Sequence, residues 1–249
     1  MAAFTAFNNR LPDPNWGVNE AGEGHASNYV EGPGFASLTF QSNQPVAFSR
    51  TLSGRATTRS IAGHSWKINI VYNPMTRAQF EPIYNFLQEK RGRLKSFEVV
   101  IPQYSTPQQT LGGGEGGNHL TIKGNILAGA TNFTADNHSH ITNSSLKPGD
   151  MFNFNDPANS NHKKVYQVTR VLNNTDYLTG GTRPGTQERI YYVTPSIEKS
   201  VIDTGDANTP KLIATNPTFR VMQSSDVTSY TLGTNNLYEF GLSLEEIQP

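Results

Sequence analysis

The sequence predicts a mainly β protein with one flanking α-helix and a small β-barrel inserted into its main domain. The composition is the first reason: only 35% of the 249 residues are hydrophobic, and 22 Gly and 15 Pro indicate many turns between short strands. The second is a clear polar–apolar alternation over residues 66–72, which is typical of a half-buried strand. The third is the single helical spacing of apolar residues that follows, over residues 80–87. A chain of this length can bury a proper core in one large or two smaller domains.

The main domain is predicted to use segments from both ends of the chain. In its clearest strand Trp66, Ile68, Ile70 and Tyr72 share one face. Further strands are predicted near residues 35–40, 45–50, 97–101, 218–222 and 238–244, with 51–60 read as a polar stretch.

One helix is predicted over residues 76–91. Its apolar stripe is formed by Phe80, Ile83, Tyr84 and Leu87. Because Pro82 lies inside it, we expect an irregular first turn, with regular helix from about Phe80. Gly92 is expected to end the helix.

The insert is predicted to be a β-domain, because short strand-like runs alternate with turns and no helix-length amphipathic pattern occurs. An OB-like barrel is one form that this spacing allows. The expected organisation is therefore an extended N-terminal arm over 1–34, a discontinuous β-domain over 35–105 and 217–249, and an inserted domain over 106–216.

Charge and cysteine content exclude several classes of function. Lys plus Arg equals Asp plus Glu at 20 each, so the chain lacks the basic excess typical of nucleic-acid binding. It has no cysteine, which excludes disulfides, thiolate metal sites and a cysteine nucleophile. No stretch approaches the roughly 18 apolar residues of a membrane-spanning helix, and no signal peptide is visible.

The motifs that resemble reactive sites have simpler interpretations. Asp136, His138 and His140 have the spacing of a metal site on a strand, but they lie among Asn, Ser and Thr, and a polar turn is favoured. The glycine run 111–117 lacks the Gly-Lys-Ser/Thr ending of a phosphate-binding loop and is interpreted as a hinge. We therefore predict no catalytic residue, no metal and no cofactor.

Two sets of residues are predicted to matter for structure and assembly. The matched apolar faces of three consecutive elements predict a core of Trp66, Ile68, Ile70, Phe80, Ile83, Leu87, Phe97 and Val99. Basic residues that could contact DNA in a channel are Arg50, Arg55, Arg59, Lys90, Arg91, Arg93 and Lys95. The alternative, a solvated helix end with ion pairs at a subunit interface, is favoured.

Residues 63–102 resemble the tail-tip and baseplate proteins of tailed bacteriophages that are related to tail tubes. These proteins share a strand, Met75-Thr-Arg-Ala78, a helix with Phe86-Leu87, Arg91-Gly-Arg93, and a Phe-rich strand ending at Pro102. Residues 146–154 and 164–169 are similar to the insert that such proteins often carry, and 238–246 to their final strand.

The resemblance implies a tail-tube-like β-sandwich or barrel that assembles as a ring, commonly six-fold, around a channel. The protein would be a distal tail protein, a tube initiator or a baseplate hub ring, assembled in the host cytoplasm and located in the virion. Its partners would be itself and neighbouring tail-tube, baseplate or hub proteins, with DNA only in passage and no membrane insertion. The alternative is a carbohydrate- or receptor-binding module that acts through the insert. A cell-wall hydrolase is a third hypothesis, without a catalytic arrangement to support it.

Overall fold

The computed structural model describes residues 9–14, 17–18, 24–25, 32–60, 63–109, 120–136, 145–173, 188–205 and 209–247. The chain divides into two compact units, one formed by residues 1–99 with 220–247 and the other by 100–219. These boundaries lie a few residues from those expected at 105 and 217. The main unit is thus built from two separate stretches of chain.

The described residues form sixteen strands, one α-helix and one 3-10 turn. In chain order they are β1 (Gly17–Val18), β2 (Gly24–His25), β3 (Phe35–Asn43), β4 (Val46–Arg50), β5 (Ala56–Ser60), β6 (Ser65–Tyr72), α1 (Arg77–Lys90), β7 (Phe97–Val100), the 3-10 turn (Pro102–Tyr104), β8 (Thr121–Lys123), β9 (Asn132–Asp136), β10 (Met151–Asn155), β11 (Val165–Leu172), β12 (Arg189–Thr194), β13 (Lys211–Ile213), β14 (Thr218–Gln223), β15 (Tyr230–Leu232) and β16 (Tyr238–Glu246).

The main sheet has the order β3–β6–β16–β14–β7, and β15 pairs with the start of β16. The central strands are antiparallel, with Ile68 opposite Leu244 and Ile70 opposite Leu242. The edge of β7 is covered by the N-terminal segment, since the Leu11 N–H donates to the Glu98 C=O at 2.9 Å. The final segment of the chain therefore lies in the centre of the sheet, between strands from the first part.

One face of this sheet carries the core of the main unit. The alternation predicted for β6 is confirmed: Trp66, Ile68, Ile70 and Tyr72 are all buried. Helix α1 packs on this face, with the Phe80 ring 5.7 Å from that of Phe240 and edge-on contact between Phe86 and Phe97. The residues buried here include Trp66, Ile68, Ile70, Phe80, Ile83, Leu87, Phe97 and Val99.

The expectation of an irregular first turn in α1 is wrong, because the helix is continuous from Arg77 through Pro82. An interior proline removes one helical hydrogen bond and crowds the carbonyl four residues before it, yet the helix continues through Pro82, whose ring is buried. The start is held by a capping box in which the Thr76 N–H donates to Gln79 Oε1 at 3.1 Å. The helix ends at Lys90, where Arg91 adopts a left-handed conformation with φ of 55° and Gly92 another with φ of 61°.

The second unit is a closed, six-stranded antiparallel barrel with the order β10–β11–β12–β9–β8–β13. The small barrel expected in the insert is therefore confirmed, although an OB-fold has five strands. Its interior is filled with side chains that include Phe133, Phe152, Phe154, Tyr166 and Tyr191. Strands β9 and β13 were not predicted, since Asn132–Asp136 contains one large apolar residue and Lys211–Ile213 is only three residues long.

Candidate functional site

The face of the main sheet opposite α1 is open and polar. The residues that alternate with the buried ones on the three neighbouring strands β3, β6 and β16 are exposed or half-buried: Ser37, Thr39, Gln41, Asn43, Ser65, Lys67, Asn69, Val71, Glu239, Gly241, Ser243 and Glu245. Lys67 lies 3.9 Å from the carboxylate of Glu245, which also accepts a hydrogen bond from Ser65 Oγ. Most of this face therefore consists of hydroxyl and amide groups, with few charges.

Strand β3 forms the long edge of the sheet. It is nine residues long and pairs with β6, and no second strand neighbours it among the described residues. An exposed strand edge of this length offers backbone N–H and C=O groups to another chain.

Strands β4 and β5 form a hairpin that follows directly from β3. Residues 51–60 were expected to be a polar stretch, and residues 51–59 are exposed, but the strand β5 within it was not predicted; Phe48 lies opposite Thr58 in the pair. No alternating pattern marks this strand, because Ala56–Ser60 contains no large apolar residue. All side chains of β4 are exposed, including Val46 at 55% and Phe48 at 60%, and so are residues 56–59. The hairpin thus lacks a core of its own.

Three of the predicted basic residues lie on this hairpin. Arg50 is placed with its guanidinium 5.7 Å from the centre of the Phe48 ring, while Arg55 and Arg59 are exposed on the turn and on β5. Residues 41–60 contain no Asp or Glu. The hairpin is consequently an exposed element with three positive charges and no negative one.

The other four predicted basic residues lie at the end of α1 and just beyond it. Arg91 and Lys95 are exposed, and Arg93 donates to the Ser224 C=O and lies 3.9 Å from Asp226. Arg93 forms its ion pair within the chain, and a role of these three residues at a subunit interface or in a channel stays a prediction.

Lys90 contradicts the expectation of a solvated or interfacial side chain. It is only 5% exposed, and its Nζ lies 4.8 Å from the centre of the Phe86 ring. Burial lowers the pKa of Lys90, an effect that the Glu89 carboxylate at 3.9 Å opposes. The aliphatic part of Lys90 belongs to the core, where long charged side chains can pack their methylene groups.

A cleft of about 450 Å³ opens beside β15. Its lining includes Val71, Pro74, Tyr230, Thr231, Glu239 and Gly241. Gly241 has no side chain to fill the space, and Tyr230 and Val71 are each about half exposed. Sequence reasoning missed this cleft because β15 is only three residues long and has no recognisable period.

The barrel contains a buried polar network that sequence reasoning also missed. The Tyr166 hydroxyl accepts a hydrogen bond from the Glu198 N–H at 3.0 Å and shares a second one, at 2.8 Å, with His162 Nε2. Burial lowers the pKa of His162 to about 4, against the opposing influence of Asp156. His162 packs on Phe154, which makes it a neutral core residue.

No group of three or more His, Asp or Glu that could hold a metal occurs among the described residues. His138, His140, the glycine run 111–117 and most of the N-terminal arm lie outside them. In the described ranges no helix is both long and apolar enough to cross a membrane.

Comparison with known proteins leaves the chain without an assigned family. No protein-family model matches it. No curated protein matches it either.

Proposed function

We propose that this chain is a structural, non-enzymatic subunit of a bacteriophage tail. In this proposal it forms a ring at the distal end of the tail and joins the tail tube to the baseplate or tip around the DNA channel. The main unit is the tail-tube-like domain, and the barrel is its insert. The observation that carries the proposal is the open polar face of the main sheet, on a chain whose residues 63–102 resemble this class of protein.

The part of the open face formed by residues 37–43, 65–69 and 243–245 has the chemistry of a channel wall. DNA is held non-specifically by Lys and Arg side chains that neutralise its phosphates. On this face Lys67 is paired with Glu245, and most other side chains are hydroxyls and amides. Such a surface stays hydrated without binding a polyanion, so DNA can slide past it.

A ring also accounts for the exposed edge of β3. In a monomer a nine-residue edge is an aggregation hazard, whereas in a closed ring each such edge is covered by the next subunit. The formal net charge of zero means that identical subunits do not repel one another strongly.

The mass of the purified protein in solution tests this function. Light scattering and native mass spectrometry measure that mass, and electron microscopy of the same sample shows the shape of the particle. We expect one oligomer of defined mass with a central channel, and no peptidoglycan turnover. A chain that stays monomeric at every concentration would argue against the ring. Peptidoglycan turnover that disappears when a single carboxylate is replaced would argue against a non-enzymatic role.

A further inference from the structure

We infer that the β4–β5 hairpin of one copy docks into the cleft beside β15 of a neighbouring copy. This inference rests on the proposed function, since a ring of identical subunits is its setting. It assigns the two surfaces that meet in each subunit contact.

The hairpin has the features of an element that is stabilised by a partner. A two-stranded hairpin alone is marginally stable in water, and no described residue covers either face of this one. Val46 and Phe48 project from the same face of β4, with Arg50 beside the Phe48 ring. An exposed aromatic side chain flanked by arginine is the usual composition of an interface anchor.

The cleft offers the complementary chemistry. Val71, Pro74 and Tyr230 supply apolar contact in a space of about 450 Å³. Glu239 places an exposed carboxylate at the cleft and makes no ion pair with any described residue. A hairpin with exposed apolar side chains, three arginines and no acid therefore meets a cleft of mixed polar and apolar lining with an available carboxylate.

The hairpin and strand β15, which forms one side of the cleft, lie on opposite sides of β16. The hairpin follows β3, which lies beyond β6. Both the N–H and the C=O of Tyr238 bond Met75 on the β6 side, so β15 pairs with the other edge of β16. Because the hairpin and the cleft are two different surfaces of the same chain, their contact is head-to-tail. Contacts of this type can close into a ring.

A basic β-ribbon also suits nucleic acid, because a two-stranded ribbon fits the major groove. The exposed apolar side chains Val46, Phe48 and Leu52 favour a protein surface. Nucleic acid is therefore an outcome that the experiment must separate from self-assembly.

Charge exchange in the full chain is the first test. Arg50→Glu and Glu239→Arg should each weaken subunit association about tenfold or more, and the double variant should recover most of the loss. Phe48→Ser should weaken it without recovery. Lys147→Glu, at an exposed position on the barrel, is the matched charge-reversal control and should assemble like the parent. Thermal melts of each variant check that the fold is kept.

The absence of cysteine permits a second, direct test. Thr58→Cys lies opposite Phe48 on the hairpin, and Thr231→Cys lies in the cleft. Mixing the two single variants under oxidation should give disulfide-linked dimers of one copy of each. Mixing Thr58→Cys with Thr169→Cys, an exposed position on the barrel, should not.

The outcomes separate this inference from the proposed function. If the parent forms a ring, none of these variants changes its stability and the expected cross-link does not form, the docking surface is wrong but the ring stands. A parent chain that never assembles would overturn both. Binding of a labelled DNA duplex that Arg50→Glu abolishes, with assembly unchanged, would replace the neighbouring copy by nucleic acid.

Discussion

His162 ties the stability of the barrel to pH. Its ring is buried beside Phe154, and Nδ1 has no hydrogen-bond partner within the described part of the chain. In either tautomer the ring has one hydrogen bond, to the Tyr166 hydroxyl, and the charged ring would hold an additional N–H at Nδ1 without an acceptor. The folded barrel therefore disfavours the charged ring.

We expect the barrel to lose stability as the pH falls from about 6.5 to about 4. The unfolded chain takes up the proton near the ordinary histidine pKa of about 6.5, whereas burial lowers the folded pKa to about 4. Stability is thus fully present above the unfolded pKa and declines until the folded pKa is reached, by on the order of 3 kcal/mol. Calorimetric melts across this pH range measure the decline.

A neutral replacement isolates the contribution of His162. His162→Gln keeps an acceptor for the Tyr166 hydroxyl and cannot be protonated, so its melts should depend less on pH over this range. His64→Gln, in the main unit beside Trp66, is the control. Equal pH dependence in the parent and in His162→Gln would show that other groups cause the acid loss.

Helix α1 and the strands around it form the stable centre of the main unit. Phe80 is buried against the rings of Tyr238 and Phe240, and Leu87 is fully buried. Phe80→Ala or Leu87→Ala should each lower the free energy of unfolding by about 2–5 kcal/mol, through lost burial and an unfilled cavity. Thermal and denaturant melts followed by Trp66 emission test this. Variants that melt like the parent would show that α1 is peripheral.

Two lysines at the end of α1 provide an internal comparison. Lys90→Ala should cost about 1–2 kcal/mol, because its buried methylene groups and its contact with Phe86 are lost. Lys95 is exposed, and Lys95→Ala should stay within about 0.5 kcal/mol of the parent. Equal effects of the two changes, measured in the same melts, would contradict the burial of Lys90.

Sequence patterns predicted the elements that bury one regular face. Trp66, Ile68 and Ile70 fix the face of β6 by themselves, and Phe80, Ile83 and Leu87 fix that of α1. Strands β5 and β15 could not be predicted, because their residues are exposed and only their cross-strand partners define them. The burial of Lys90 depends on how α1 packs in three dimensions, which its position near the helix end does not reveal.

At the scale of the whole molecule, the domain organisation was predicted from the C-terminal strand, which has no partner strands near it in the sequence. The strand at 238–244 needs a sheet, and the segment before residue 105 is the part of the chain that offers one. In the structure β16 pairs with β6, which lies far from it along the chain. The closure of the barrel was harder to predict from the sequence, because β8 and β13 are short and pair with each other although they lie far apart along the chain.

The barrel should be removable without unfolding the main unit. Strands β7 and β14, which flank it in sequence, are neighbours in the main sheet, and the Asn216 N–H donates to the Ser105 C=O at 2.8 Å. A chain lacking residues 106–215, with Ser105 and Asn216 joined by a short Gly/Ser linker, therefore needs no rearrangement of its ends. We expect the shortened chain to unfold in one cooperative transition, followed by Trp66 emission. Since the hairpin and the cleft both belong to the main unit, we also expect it to assemble like the full chain. Deleting β16 instead should abolish folding, because it removes a central strand. Loss of the cooperative transition in the shorter chain would show that the barrel is part of the core that holds the sheet together.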